Sequence, residues 1–459
     1  MASATRLYNP IAEQLSREEL EALQLRKLQR FVAFAYHRSD FYRRKLDAAG
    51  VEPEQIRTLD DFRKRIPVTT KTEWLADQAD HPPYGSAATV QAADVARFYL
   101  TSGTSGIGQE VHALTRADLE YAGSWTYGFH WAGIDPGDVF VNTLPVGLGN
   151  LAGPDSGIQS AVRSRLNIFN IGHLPAEQKL TMMCRFSPDL LFAVPAYLQR
   201  LELLAREQGI DPRTFGLKAI LLAAEPYTIE WAERAMEFWG CPLTELYGST
   251  QATSAIAFPC EHGAVRDGRR GILHVLEHLI FAEVVGRATR EQVAPGEDGE
   301  LVLTSFERIG TPLLRWASDD RVQFRPHSDC SCGRPFSGMT AGEVARYDDM
   351  MKIKAVNVWP EAVDGVMFRD TDVAEYQGEV FDTDAGTTVA VRVEFRADIA
   401  PERRTARLAE LSRDLRERIG IGMNLVEAAE PLPRFEFKVR RWTDHRVAGR
   451  NRILHTEKA

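Results

Sequence analysis

The chain has 459 residues, 44% of them hydrophobic and 26% charged, the balance of a globular protein too long for one ordinary core. Its formal net charge of −9 argues against a nucleic-acid partner, which would need a basic face. No apolar run approaches the roughly 20 residues of a membrane helix, and residues 1–14 lack the apolar core of a signal peptide, so the sequence predicts a cytoplasmic protein without a membrane partner.

Ser16-x-x-Glu19 is a capping box, after which Leu20, Leu23, Leu28, Phe31 and Ala35 recur near helical spacing. From about 95 to 250, apolar runs of strand length (139–141, 190–194, 219–222) alternate with helical stretches opened by Thr115-x-x-Asp118 and Thr228-x-Glu230. That alternation predicts α/β layers with buried strands. Between about 271 and 325 the pattern turns antiparallel, with runs 272–285 and 301–306 flanking Pro295-Gly296-Glu297-Asp298-Gly299. A further unit begins near 347, with a strand-like run 389–395 and a helix carrying Leu408, Leu411, Leu415 and Ile419. The expected fold is therefore α/β. A large N-terminal domain, 1–347, combines layered α/β sheets with an antiparallel β subdomain, and a small α+β domain, 348–459, follows.

The run Thr101-Ser102-Gly103-Thr104-Ser105-Gly106-Ile107-Gly108-Gln109-Glu110 follows a strand-like stretch. Glycines let backbone N–H groups crowd around an anion, and hydroxyls add donors. Between a strand and a helix such a loop is a phosphate cradle. It is not a Walker A loop, because Gln109 and Glu110 stand where Lys and Ser/Thr are required. Taken alone, a Gly/Ser surface turn is the plain alternative.

The loop resembles the phosphate loop of the adenylate-forming enzymes, and further segments resemble that superfamily in the same order. Ala224-Glu225-Pro226 is similar to its adenine-site turn, and Tyr247-Gly248-Ser249-Thr250 to its adenine-stacking, phosphate-binding turn. Gly299-Glu300-Leu301-Val302-Leu303-Thr304 and Pro312-Leu313-Leu314-Arg315, leading to Asp320, resemble the ribose-binding segment. Arg346-Tyr347-Asp348-Asp349-Met350 resembles the interdomain hinge, and Leu432-Pro433-Arg434 with Lys438 the catalytic-lysine loop. Asn9-Pro10, Ser16-Arg17-Glu18-Glu19-Leu20, Phe41-Tyr42 and Thr69-Thr70-Lys71 resemble the phenylacetate–coenzyme A ligases. Gly108-Gln109-Glu110 resembles the branch that activates anthranilate and other small aryl acids.

The resemblance implies an ATP-dependent, AMP-forming ligase for a small aromatic carboxylic acid, using magnesium and passing the acyl group to coenzyme A. Thr101, Ser102, Gly103, Thr104, Ser105 and Gly106 would hold the β- and γ-phosphates. Ala224, Glu225, Pro226, Tyr247 and Gly248 would bind adenine, Asp320 and Arg346 the ribose, and Thr250 the α-phosphate. Lys438 would serve adenylation, and Asp348 would be the hinge about which the mobile small domain turns. Leu144, Gly147, Gly149 and Ala223 are the positions assigned to the acid pocket, while Trp125, Tyr127, Phe129 and Trp131 are read chiefly as core. Three positions depart from the family: Ile107 replaces a common Lys, Gln251 a usual Glu, and Phe437 a Gly.

In a cytoplasmic protein the five cysteines are thiols or metal ligands rather than disulfides. Cys260-x-His262 and Cys330-x-Cys332 supply four N/S ligands, which suits a closed tetrahedral zinc site of structural purpose. Cys184 and Cys241 are read as small buried residues. Two other functions stay open at this stage: transfer of the acyl group to a carrier protein or amine, and a nucleotide-binding homologue without catalysis. A homodimer is likewise left open.

Overall fold

Local chemistry sets the helix starts. In the computed structural model, which describes residues 5–101, 109–121, 123–145, 152–353, 356–369, 371–383, 386–434 and 441–446, Ser16 Oγ accepts from Glu19 N–H at 3.1 Å and the Glu19 carboxylate accepts from Ser16 N–H at 2.7 Å. The helix Arg17–Arg38 follows and buries Leu20, Leu28, Phe31 and Ala35. Thr115 and Asp118 cap Arg116–Tyr121 in the same reciprocal way. Thr228 Oγ1 accepts from Trp231 N–H at the start of Ile229–Trp239.

Two compact units divide the chain. The first runs to Glu225 and resumes over Ala235–Val344; the second takes Pro226–Arg234 and continues from Ala345. The first contains a parallel sheet with strand order Asn167–Asn170, Val139–Asn142, Leu190–Ala193, Ala219–Leu222 and Leu243–Glu245. Leu190–Ala193 and Ala219–Leu222 are buried throughout, which is why they read as unbroken apolar runs and not as alternating ones. An antiparallel path in the same unit runs Ile280–Val285, Asp298–Ser305, Trp316–Arg325, Gly338–Thr340, Ile272–Val275, Ala255–Pro259 and Tyr247–Gly248.

The second unit is built on the hairpin Val373–Thr383/Gly386–Phe395, flanked in parallel by Asn424–Glu427 and Trp442–Asp444. Helices Pro360–Met367 and Pro401–Ile419 bury Val363, Val366, Leu411 and Leu415 in a core shared with Val380, Val391 and Val393. Gly420, at φ +84°, ends the longer helix in the left-handed region that glycine tolerates.

Two sequence expectations need correction. The 101–110 loop is not followed directly by a helix. Arg97–Leu100 pairs antiparallel with Val111–Leu114, Leu100 opposite Val111, so the loop joins two strands of a hairpin. The four residues Val111-His112-Ala113-Leu114 pair with Arg97–Leu100 as strand, and the helix waits for the Thr115 cap. Cys184 is exposed, whereas Cys241 is buried as expected. Among the described residues no helix is long and apolar enough to cross a membrane.

Candidate active site

The carboxyl ends of parallel strands are where open α/β sheets collect ligands. Leu144, buried, follows Val139–Asn142, and its N–H donates to the Asn142 side chain at 2.9 Å. Ala223, also buried, follows Ala219–Leu222, and Ala224 takes φ +70°, a left-handed turn unusual for alanine. Glu225 then turns back to accept from Ala196 N–H at 3.0 Å at the start of helix Pro195–Glu207. Tyr247 comes just after Leu243–Glu245 in the next strand over. Leu144, Ala223, Ala224 and Tyr247 therefore all follow the carboxyl ends of strands of the one parallel sheet.

Tyr247 is 7% exposed, and its hydroxyl donates to Asp320 Oδ2 at 2.5 Å across 73 residues of sequence. Asp320 sits on the strand Trp316–Arg325, with its N–H held by Ser318 Oγ at 3.0 Å. Thr250 is half-buried in the turn after Tyr247, and its carbonyl accepts from Thr253 N–H. Arg315, in the segment read as ribose-binding, has a structural task instead. Its guanidinium grips Glu283 at 3.0 and 3.1 Å and donates to the Ile66 carbonyl at 2.6 Å, with the pair almost wholly buried. Arg346 belongs to the second unit, on the short strand Ala345–Arg346, and Asp348 to the 3-10 turn Tyr347–Asp349 that follows. Ser102, Gly103, Thr104, Ser105, Gly106, Gly147, Gly149 and Lys438 lie outside the described residues, as do Ile107 and Phe437.

Next to the loop the structure gathers polar residues that the sequence left unassigned. Glu110, 1% exposed, accepts from Gln251 Nε2 at 2.6 Å, meets His112 Nε2 at 3.2 Å and lies 3.5 Å from Lys71 Nζ. Burial alone would raise its carboxyl, but His112, Gln251 and Lys71 outweigh it and hold it below the usual carboxylate range. Burial, aided by the charge of Arg308, pushes His112 down to about 4, so its ring is neutral and donates to Glu110. Burial also lowers Arg308 to about 10 despite Asp118, Tyr42 and Glu110 nearby. Only the polar residues Glu110 and His112 on either side of Val111 hinted at this cluster, and Arg308 carried no signal at all.

A second cluster lies across three neighbouring antiparallel strands. Cys260 leaves the end of Ala255–Pro259, His274 stands on Ile272–Val275, and Cys330 and Cys332 precede Gly338–Thr340. Their donor atoms all fall within 4.8 Å of one another. Cys260 Sγ is 3.7 Å from Cys330 Sγ, and Cys332 Sγ is 3.6 Å from His274 Nε2. A tetrahedral zinc with bonds of about 2.3 Å to sulfur separates its sulfurs by about 3.8 Å, so the donor set fits that ion. His274 Nδ1 lies 2.7 Å from the Phe336 carbonyl. A carbonyl only accepts, so Nδ1 carries a proton and Nε2 is the ring nitrogen that faces the thiols. Hydrogen bonds from Cys260 and Cys330, with His274 beside it, hold the Cys332 thiol far below its ordinary range.

The fourth donor of this set is thus His274 and not His262. His262 Nδ1 reaches Cys330 Sγ at 3.6 Å but stands outside the four-atom group. The Cys260-x-His262 spacing drew attention to the nearer histidine, while sheet register brings His274 opposite Phe258 and Gly338. Arg334, fully buried, backs the cluster. It pairs with Glu13 at 2.9 Å and Glu261 at 2.8 Å and lies over the Trp131 ring.

The profile described as AMP-binding enzyme matches residues 2–306, and that described as AMP-binding enzyme C-terminal domain matches residues 355–446. The phenylacetate–coenzyme A ligase of Thermus thermophilus is 34% identical over 373 residues, spanning 81% of this chain and 80% of that protein. The Escherichia coli protein of the same name is 28% identical over 456 residues, spanning 97% and 99%. Among solved structures, 2-hydroxyisobutyryl-CoA ligase in its postadenylation state superposes with a TM-score of 0.86 at 24% identity, over 97% of this chain and 94% of that one.

Proposed function

Because the chain belongs to the AMP-binding enzyme family and is an AMP-forming acid–coenzyme A ligase, we propose that its acid is a small aromatic carboxylate of the arylacetate, benzoate or anthranilate type. A carboxylate is a poor electrophile. In the first reaction its oxygen attacks the α-phosphorus of ATP, and the bond to the bridging oxygen breaks with release of pyrophosphate. In the second the coenzyme A thiolate attacks the acyl carbon, and AMP leaves with the electron pair of the mixed anhydride.

Such chemistry is largely positioning and charge compensation. The observation that carries the nucleotide reading is the Tyr247–Asp320 contact at 2.5 Å. It sets an aromatic face for adenine beside a carboxylate that accepts from ribose hydroxyls. Thr250, three residues on, donates to the α-phosphate, and the hydroxyls and N–H groups of 101–106 hold the β- and γ-phosphates. Leu144 and Ala223, past the carboxyl ends of their strands, line the acid pocket together with Gly147 and Gly149. Lys438 meets the charge that develops between carboxylate and α-phosphate, Arg346 adds a ribose contact, and Asp348 is the hinge for domain rotation between the two reactions.

Magnesium would accompany the triphosphate and would supply charge neutralisation there. Gln251 commits its amide nitrogen to Glu110, which leaves Oε1 as a neutral, hard oxygen for the cation. Zinc would be held by Cys260, His274, Cys330 and Cys332; four protein ligands leave no open position, so its contribution is structural.

The test is product identity. Purified protein with ATP, magnesium, coenzyme A and a panel of aryl, arylacetic and short aliphatic acids should yield AMP and an aryl thioester. ADP as product, or turnover confined to aliphatic acids, overturns this reading.

A further inference from the structure

Arg308 is 2% exposed, and Nε, Nη1 and Nη2 all lack a hydrogen-bond partner among the described residues. Other buried guanidinium groups of this unit are paired, Arg315 with Glu283 and Arg334 with Glu13 and Glu261. The acids near Arg308 are already taken. Asp118 accepts from Thr115, from Ile309 N–H at 2.7 Å and from Gly310 N–H at 3.0 Å. Glu110 is engaged by Gln251, His112 and Lys71. A buried charge without a partner destabilises the fold, so its retention points to an anion that the protein does not itself supply.

The location says which anion. Arg308 begins a segment locked to the strand that leaves the 101–110 loop. Thr311 Oγ1 donates to the Ala113 carbonyl at 2.7 Å, and Gly310 packs so closely on Ala113 that a Cβ there would collide with it. Its electrostatic neighbours include Tyr99, on the strand entering the loop, and Glu110, at the loop's exit. Residues 101–109 themselves contain no lysine or arginine. A loop of hydroxyls and glycines would therefore face several phosphate charges with no cation of its own.

We propose that Arg308 is the cation of the ATP polyphosphate and of the leaving pyrophosphate, standing at the neck of the 101–110 hairpin. The planar guanidinium fork binds two phosphate oxygens at once, which a point charge does not. The assignment rests on the nucleotide site proposed above. It also separates the roles of two parts of the nucleotide: AMP, lacking the β- and γ-phosphates, has no use for this residue.

The experiment compares ATP, pyrophosphate and AMP binding by calorimetry in wild type, Arg308→Met and Arg308→Lys, with magnesium present. Arg308→Met should weaken ATP and pyrophosphate by about 30-fold, equivalent to about 2 kcal/mol, and leave AMP within about twofold. Arg308→Lys should fall between. The unliganded Met variant should melt no lower than wild type, because it removes an unpaired buried charge. Unchanged ATP affinity in a folded Met variant, or parallel losses for ATP and AMP, overturns the assignment. If the Met variant does not fold, the Lys variant carries the same ATP-against-AMP comparison. A wild type that binds no ATP overturns the nucleotide site and this inference with it, whereas a wild type that binds ATP no better than the folded variant overturns Arg308 alone.

Discussion

Exchanging the two histidines near the thiols gives opposite results if the structure has chosen the fourth ligand correctly. His274 is fully buried, its Nδ1–H donates to the Phe336 carbonyl at 2.7 Å, and its Nε2 faces Cys332. His274→Ala orphans that carbonyl, at about 1–3 kcal/mol, and leaves a ring-sized void in a packed sheet, which costs about 2 kcal/mol more. The sum is about 3–5 kcal/mol before any metal contribution, and structural zinc adds to it because binding is coupled to folding. At about 2 °C per kcal/mol for a large domain, the melting temperature should fall by about 6–10 °C, and further as zinc is lost. His262→Ala removes a half-buried ring outside the donor group and should cost less than about 1 kcal/mol. Zinc per chain, measured by plasma mass spectrometry after gel filtration, should stay near one in His262→Ala and fall well below one in His274→Ala. Melting with and without chelator supplies the second readout. The reasoning is refuted if His274→Ala keeps its zinc and its melting temperature, or if His262→Ala loses both.

Three further outcomes are expected. Tyr247→Phe keeps the ring but loses the hydrogen bond to Asp320; its KM for ATP should rise about three- to tenfold, in line with about 0.5–1.5 kcal/mol for one such bond, and an unchanged KM would detach this pair from the nucleotide. Lys438→Ala should cut acyl-adenylate formation by orders of magnitude while sparing thioester formation from supplied adenylate; equal losses in both half-reactions would assign the lysine another role. Burial pushes His278 down to about 3 and His112 to about 4, against about 6.5 in an unfolded chain. Below pH 6.5 the unfolded state then binds protons that the folded state refuses. The contribution of these two imidazoles is therefore fully present above pH 6.5 and falls as pH drops toward 4, by about 1.4 kcal/mol per pH unit for each. His278→Phe, which preserves the stack on Phe336, should remove about half of that slope in urea titrations between pH 5 and 7, and an unaltered slope would exclude His278 as a contributor.

The sequence by itself determined what depends on neighbours a few residues apart. The Ser16/Glu19 and Thr115/Asp118 caps form as read, because their donors and acceptors are built into one turn of chain. The apolar runs at 190–193 and 219–222 are buried strands, because a run apolar on both faces has nowhere else to go. Tertiary structure alone decided the rest. Whether the 101–110 loop opens a helix or closes a hairpin depends on Val111–Leu114 finding Arg97–Leu100 as its ladder partner, and short polar-apolar runs of four residues do not announce such pairing. The choice of His274 over His262 follows from strand register among segments near 258, 274 and 338, which no local spacing encodes. Nothing in the sequence marks Arg308; its burial without a hydrogen-bond partner among the described residues, beside Gly310 and Thr311 packed on Ala113, exists only in the fold. Caps and periodicity are short-range and additive along the chain, whereas a site is a convergence of side chains tens to hundreds of residues apart, set by register and burial that exist only once the chain has folded.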